Sequence, residues 1–359
     1  MLIVKPIYFP TGTSLFVLLT LILTGLIFGL TSSVQELLIP LGISAFTSSI
    51  LGYLIIPYLR RFKAAQIIQE DGPQSHLKKA GTPTMGGIFF VPVAIIVSVL
   101  LSKFDLDVLV LSLICLGYLS IGFYDDWMIL RKRSNKGISP KTKLFLQISI
   151  AIFFIIYLYL NKASSLDNFT KINFPYKIVL SLGVFFWPLA GFAMTAESNA
   201  TNLTDGVDGL AGGTAAIAFL GLGLLVLANH PNLTIVCASF SGACLGFVWH
   251  NRHPAKVFMG DTGSLPLGGV LASVAILSGQ LWGLLIISGI FFAESISVIA
   301  QVSYYKLTKG ADGKGKRLLK MAPLHHHLEL SGWKETQVVG IFYIINTILV
   351  LLSVTTALK

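Results

Sequence analysis

Charge is scarce in this sequence: Asp, Glu, Lys and Arg make up 12% of its 359 residues, against 54% hydrophobic. That balance excludes a soluble domain. Cysteine is scarce too. Cys115, Cys237 and Cys244 fall in apolar stretches without metal-ligand spacing, so neither a disulfide framework nor a cysteine zinc site is expected, and packing is their role. The N-terminal stretch lacks a basic n-region and a small-residue cleavage site, so the first apolar run reads as a retained anchor. No strict internal repeat gives support to an inverted-repeat transporter. The apolar runs are unbroken, which excludes the alternation of an outer-membrane barrel.

What is present is apolar sequence of spanning length, repeated along the whole chain. Runs near 14–30, 37–59, 86–102, 106–122, 144–160, 176–195, 209–228, 233–249, 265–279, 281–302 and 337–357 predict an all-α, polytopic membrane bundle of about eleven helices. The net charge of +10 is unevenly placed. With the N-terminus inside, 21 of the 26 Lys and Arg residues collect on the cytoplasmic face, leaving Lys103, Lys162, Lys171, Lys177 and Lys359 elsewhere. The positive-inside rule therefore predicts N-in and C-out. It also explains the basic surplus without a nucleic-acid partner, with anionic lipid or phosphate attraction as a second use.

That topology puts every long polar loop on one side. They are "RRFKAAQIIQEDGPQSHLKKAGTPTMGG", "YDDWMILRKRSNKGISPKTK", "AESNATNLTDGVDG", "WHNRHPAKVFMGDTGS" and "YYKLTKGADGKGKRLLKMAPLHHHLELSGWK". A transporter keeps its polar groups near the midplane. Here they stand at one interface, and chemistry at the cytoplasmic surface is expected.

The acidic groups carry most of that expectation. A carboxylate at the centre of a spanning helix costs roughly 2.5–3.5 kcal/mol on insertion scales, so Asp125 and Asp126 at the end of an apolar run call for a reason. Neighbours on a helix point about 100° apart, which suits two jobs better than one clamp. Asp205 and Asp208, three apart, share a face if their turn is helical. Asp261 stands between glycines in "FMGDTGS", where backbone can approach a ligand closely. Each alone is equally well a helix cap. Five on one face, with no basic partner in their own motifs, suit Mg²⁺, which takes one or two carboxylates and completes its shell with water and phosphate.

His325, His326 and His327 follow Pro323, with Lys316, Arg317 and Lys320 upstream. Such a run reads as a metal tract or as donors to phosphate; zinc is the weaker choice beside so many carboxylates. His250 and His253 read as interfacial. Lys78, Lys79 and Thr82 before paired glycines read equally as a phosphate cradle or a helix-entry loop. Together these groups predict phosphoryl transfer between a soluble donor and a lipid acceptor, without naming either.

The segments "DGPQSHLKKAGTPTMGG", "GFYDDW", "NATNLTDGVDGLAGG", "VFMGDTGSLPLGG" and "KMAPLHHHLELSGW" resemble, in order from about residue 40 onward, the phospho-N-acetylmuramoyl-pentapeptide-transferase family. This family is a branch of the polyprenyl-phosphate N-acetylhexosamine-1-phosphate transferase superfamily. The resemblance implies an enzyme of the bacterial inner membrane, its active site facing the cytoplasm, in the first membrane step of peptidoglycan synthesis. The implied reaction takes UDP-MurNAc-pentapeptide and undecaprenyl phosphate to lipid I and UMP with Mg²⁺; homodimers are common in the family. It also implies roles: Asp125 engaging or deprotonating the lipid phosphate, Asp126 as its catalytic neighbour, and Asp261 as principal metal ligand. Asn202, Asp205 and Asp208 would line the nucleotide and metal side, with Phe258 stacking on uracil and His325 holding the diphosphate or sugar end. Lys79, Thr84, Gln301 and His326 would be further substrate-binding residues.

Two departures stand out. The family has ten spans, so residues 1–36 read as an extra N-terminal transmembrane segment before a transferase domain at 37–359. "TKGADGKGK", about 308–316, lengthens the loop before the histidines and reads as a flexible insertion. Two rivals remain at this stage. A GlcNAc-1-phosphate transferase of the same superfamily shares the acidic motifs but varies at "APLHHHLE". A proton-coupled transporter or flippase would use Glu294 in "FFAESIS" as a relay, although a Glu paired inside the bundle with a hydroxyl or backbone carbonyl explains it equally.

Overall fold

The computed structural model describes residues 11–30, 34–61, 81–132, 137–161, 170–310 and 313–357. Among them are α1 (Gly12–Leu30), α2 (Val34–Arg61), α3 (Gly87–Leu101), α4 (Leu106–Lys132) and α5 (Pro140–Asn161). An antiparallel hairpin, β1 (Lys171–Asn173) with β2 (Val179–Ser181), pairs Ile172 with Leu180. Then come α6 (Phe186–Thr204), α7 (Leu210–Val226), α8 (Pro231–Asn251), α9 (Asp261–Leu277), α10 (Leu281–Ile287), α11 (Gly289–Leu307), α12 (Leu324–Leu330) and α13 (Glu335–Ala357). The fold is the expected all-α, multi-pass membrane bundle.

Six helices are long and apolar enough to cross a bilayer alone: α1, α2, α4, α5, α8 and α13. The bent pair α10–α11 makes a seventh. The remaining apolar helices α3, α7 and α9 run 15 or 17 residues. At 1.5 Å per residue they reach about 22–26 Å, short of the ~30 Å hydrocarbon core. Burial explains how short helices persist: almost every side chain of α7 and α9 is buried, so protein rather than lipid surrounds them.

Two expected spans differ from the structure. The run at 176–195 is divided between the hairpin, a short 3₁₀ turn and the start of α6, which continues through the polar "ESNATN" to Thr204. The run at 281–302 is broken at Ser288, where α10 and α11 meet at 71°. There the Ser288 hydroxyl donates to Glu197 Oε1 on α6 at 2.6 Å, a buried polar contact that hydropathy does not register.

Among lipid tails the hydrophobic effect does not draw helices together, so close backbone contact must. Helix α8 shows how. Gly242 and Gly246, four apart, face α2, and a Cβ at either would run into the backbone carbonyl of Leu41 or Ala45. This small-xxx-small seam lets α2 and α8 approach closely. The Ser241 hydroxyl donates to the Ala216 carbonyl at 2.8 Å, joining α8 to α7. Around this centre, the C-terminal ends of α4 and α6 and the N-terminal ends of α5, α9 and α12 come to one end of the bundle.

Candidate active site

Helix α9 begins where α4 presses closest: a Cβ at Gly122 would strike the Asp261 carbonyl. Gly260, at φ +69°, turns the chain into the helix and supplies no side-chain cap. The first N–H groups of a helix nevertheless need acceptors. Two aspartates from other elements provide them. Asp126 Oδ1 accepts from the Asp261 N–H at 3.2 Å, and its Oδ2 accepts from the Thr262 N–H at 3.0 Å and the Thr262 hydroxyl at 2.6 Å. Asp205 accepts from the Gly260 N–H. Asp126 thus orients Asp261 through the backbone, and a Cβ on Gly260 would collide with both Asp126 and Thr84.

The Asp261 carboxylate points away from these caps. Its Oδ2 takes the ammonium of Lys143, on α5, as an ion pair. Its Oδ1 accepts from Asn202 Nδ2 at 2.7 Å, and the same amide reaches Ser264 Oγ at 2.9 Å. Asp125 shares a hydrogen bond with Asp261 and accepts from the Ile138 N–H at 2.6 Å. Asp205 is held up at about 7, first by burial and then by the charges of Asp261 and Asp126, with the Gly260 N–H opposing. Asp125, Asp126 and Asp205 thus gather about Asp261, which among the described residues has Lys143 as its cationic partner.

Lys143 was invisible in the motifs because it lies 118 positions from its partner. The one available sign was "SPKTK": Ser139 and Thr142 start α5 by hydrogen bonding across its first turn, and the Lys143 N–H donates to the Ser139 carbonyl at 2.9 Å in the same turn.

The histidines take different places. His325 is fully buried at the start of α12. Its Nδ1 lies 3.1 Å from Glu294 Oε2, and its backbone N–H donates to Oε1 at 3.3 Å. A carboxylate only accepts, so Nδ1 carries the proton and Nε2 is the available atom. Among the described residues Nε2 has no hydrogen-bond partner, and the ring lies against Gly206, beside Asp205. Glu294 pairs with an imidazole and not with the hydroxyl or carbonyl expected for a purely structural glutamate. His326 pairs with Glu329 at 3.0 Å. His327 Nδ1 accepts from the Lys320 N–H at 3.1 Å.

Asp208 does not join the Asp261 group. Its Oδ2 accepts from the Ala255 N–H at 3.0 Å and lies 3.1 Å from His253 Nδ1, which is also 3.3 Å from Glu335 Oε2. These three side chains converge within 4.8 Å and are a set that could hold an ion. The hydrogen bonds to Asp208 and then Glu335 raise the His253 imidazole to about 9, so its own proton supplies the positive charge there. A folded-state value above the ordinary 6.5 stabilises the fold fully below pH 6.5, and that contribution fades as pH rises through about 9. Detergent-solubilised His253→Gln is therefore expected to melt below the wild type at pH 6, with the gap closing by pH 10. Parallel melting curves across that range would remove the ion pair from the account.

Phe258 is half-buried, its N–H donating to the Pro83 carbonyl at 2.8 Å and its carbonyl accepting from Gly86 N–H at 2.9 Å. Gln301 directs both ends of its amide to the backbone of Leu318 and Leu319, fixing the lengthened loop rather than facing the aspartates. Lys79 lies outside the described residues.

Similarity to known proteins gives the family. Residues 108–279 match the model of glycosyl transferase family 4, and residues 79–91 match a phospho-N-acetylmuramoyl-pentapeptide-transferase signature. A phospho-N-acetylmuramoyl-pentapeptide-transferase of Rippkaea orientalis is 62% identical over 351 residues, covering 96% of each chain. Relatives of the same name from Microcystis aeruginosa and a Picosynechococcus species are 60% and 59% identical, over 96% and 97% of each chain. Identity of that extent over nearly the whole length of each chain places this one in the phospho-N-acetylmuramoyl-pentapeptide-transferase family.

Proposed function

We propose that this protein transfers phospho-MurNAc-pentapeptide from UDP-MurNAc-pentapeptide to undecaprenyl phosphate, giving lipid I and UMP. The observation that carries the reading is the Asp261 carboxylate, held at a helix start by Asp126 and flanked by Asp125, Asn202 and Lys143. Phosphoryl transfer asks for placement and charge compensation more than for covalent chemistry by the protein. The groups here that could ligate a cation are carboxylate oxygens, and among the described residues the Lys143 ammonium offsets only part of the charge of four carboxyl groups. That donor set fits Mg²⁺, with Asp261 as principal ligand and Asp125 and Asp205 beside it. When bound, the ion would offset charge on the diphosphate and on departing UMP.

The chain's own residues take distinct roles in this reading. Asp125 accepts the proton of the lipid phosphate or orients its anion for attack on the sugar-bearing phosphorus. Asp126 is a positioning residue, acting through the backbone of Asp261 and Thr262. His325, its tautomer set by Glu294, offers Nε2 toward Gly206 and donates to a phosphate oxygen when the ring is charged. Thr84, Asn202, Asp208, Phe258 and His326 complete the candidate substrate walls. The lysine-rich loops at this end support a cytoplasmic active site in a bacterial inner membrane, N-terminus in and C-terminus out. Residues 1–36 then add one helix to a transferase unit at 37–359.

The test is a turnover assay on detergent-purified protein with undecaprenyl phosphate and Mg²⁺, offering UDP-MurNAc-pentapeptide and UDP-GlcNAc in parallel, with EDTA controls. Lipid I and UMP from the first donor alone, lost with EDTA, is the expected result. Product from UDP-GlcNAc would move the protein to the sister activity, and no product from either would sink the reading.

A further inference from the structure

The first turn of helix α1 does not simply face lipid. Thr11 caps it, its hydroxyl accepting from the Ser14 N–H at 3.2 Å while the Ser14 hydroxyl donates back to the Thr11 carbonyl at 2.6 Å. The next residue, Gly12, is buried, and a Cβ there would run into the backbone of His253. One turn on, Phe16 meets Trp249 edge to face, with ring centroids 5.1 Å apart. The Arg252 guanidinium lies 3.7 Å from the Trp249 ring centroid and 5.6 Å from that of Phe16. Among the described residues its buried Nη1 has no hydrogen-bond partner, so aromatic faces hold this cation in place of an acid. Trp249 is fixed in turn by donating to the Tyr53 hydroxyl at 2.7 Å.

The segment pressed by α1 is the one that holds Asp208. Asn251 accepts from the Gly209 N–H and donates to the Val257 carbonyl, each at 2.8 Å. His253 and the Ala255 N–H both contact the Asp208 carboxylate. Residues 251–258 are thus clasped between α1 on one side and the 208–209 turn on the other, and they end at Phe258.

We infer that α1 is a positioning element for the donor nucleotide: Gly12 and Phe16 hold the 251–258 segment so that Asp208 and Phe258 keep the geometry that receives a uridine nucleotide. This rests on the transferase reading above and extends it to a helix outside the carboxylate cluster. Gly12 is required by close approach, since any side chain there must push the helix off the His253 backbone.

The experiment compares full-length wild type with Gly12→Ala, Phe16→Ala and Leu23→Ala in detergent. Leu23 is buried on the same helix, about three turns beyond Gly12 and away from the clasp, so it reports helix packing alone. Calorimetric titration with UMP, the KM for each substrate and hydrogen exchange of the 250–258 amides are the readouts. Gly12→Ala and Phe16→Ala are expected to weaken UMP binding and raise the donor KM about tenfold, with kcat and the lipid KM within about twofold. Leu23→Ala is expected to lower the melting temperature without changing UMP affinity. UMP affinity unchanged in Phe16→Ala, or weakened equally in Leu23→Ala, would overturn the inference, and Phe16→Ala decides alone if Gly12→Ala does not fold. A wild type that neither binds UMP nor turns over would instead overturn the transferase reading. In that case faster exchange at 250–258 in Phe16→Ala but not in Leu23→Ala still supports the clasp, and equal exchange refutes it.

Discussion

Asp261→Asn is expected to fold normally and to lose about 10²–10³-fold in kcat, the scale seen when one charge-stabilising group is removed from an active site. Asparagine preserves the shape and leaves an oxygen to accept from Asn202, so the α9 start, held through the backbone by Asp126 and Asp205, stays in place. What disappears is the anionic charge that Lys143 and a divalent cation would both meet. Melting temperature and UMP release at saturating Mg²⁺ separate the two effects. A variant with a normal melting temperature and activity within tenfold of wild type would remove Asp261 from the centre of the mechanism.

The second large effect is expected at Lys143. Methionine keeps the length and apolar stem and removes the ammonium that pairs with Asp261. The pair is partly exposed, with 17% of the Lys143 and 20% of the Asp261 side chain accessible, so the loss is set below that of a fully buried pair. A destabilisation of about 2 kcal/mol follows, with a fall in kcat of about 10²-fold as the carboxylates rearrange. Lys143→Met with Asp261→Asn supplies the check. If the ion pair is the cause, the double variant is destabilised by at least ~1 kcal/mol less than the sum of the singles. Strict additivity would mean that the two side chains act independently.

Much of this was legible before any coordinates. Apolar length located helix in each of the eleven runs, because a bilayer leaves the backbone little else to form. It misjudged the extent at 176–195, where β-prone "KINFPYKIVLS" precedes the helix, and the continuity at Ser288, where a buried hydroxyl sits at the bend of a run that hydropathy treats as continuous. The aspartates were legible because carboxylates beside apolar runs are costly and therefore informative. Their partners were not. Lys143 with Asp261, Glu294 with His325 and Glu335 with His253 are pairings between distant segments, and no local period encodes which helix ends will meet. Asp126 is the sharpest case: the sequence offered catalysis or capping for each carboxylate, and here one aspartate caps a helix that belongs to another part of the chain.

That capping has a further consequence for how phosphate can be held. A free helix start is a ready anion site, because its amides point outward and carry partial positive charge. At α9 these amides are already committed: Gly260 to Asp205, Asp261 and Thr262 to Asp126, and Gly263 and Ser264 to the Gly260 carbonyl. The helix that carries the central carboxylate thus has no backbone cradle to lend a diphosphate. A diphosphate bound here would draw its counter-charge from side chains or from an ion exchanged with solvent, and occupancy of this pocket would then depend on the ionic composition of the compartment it faces.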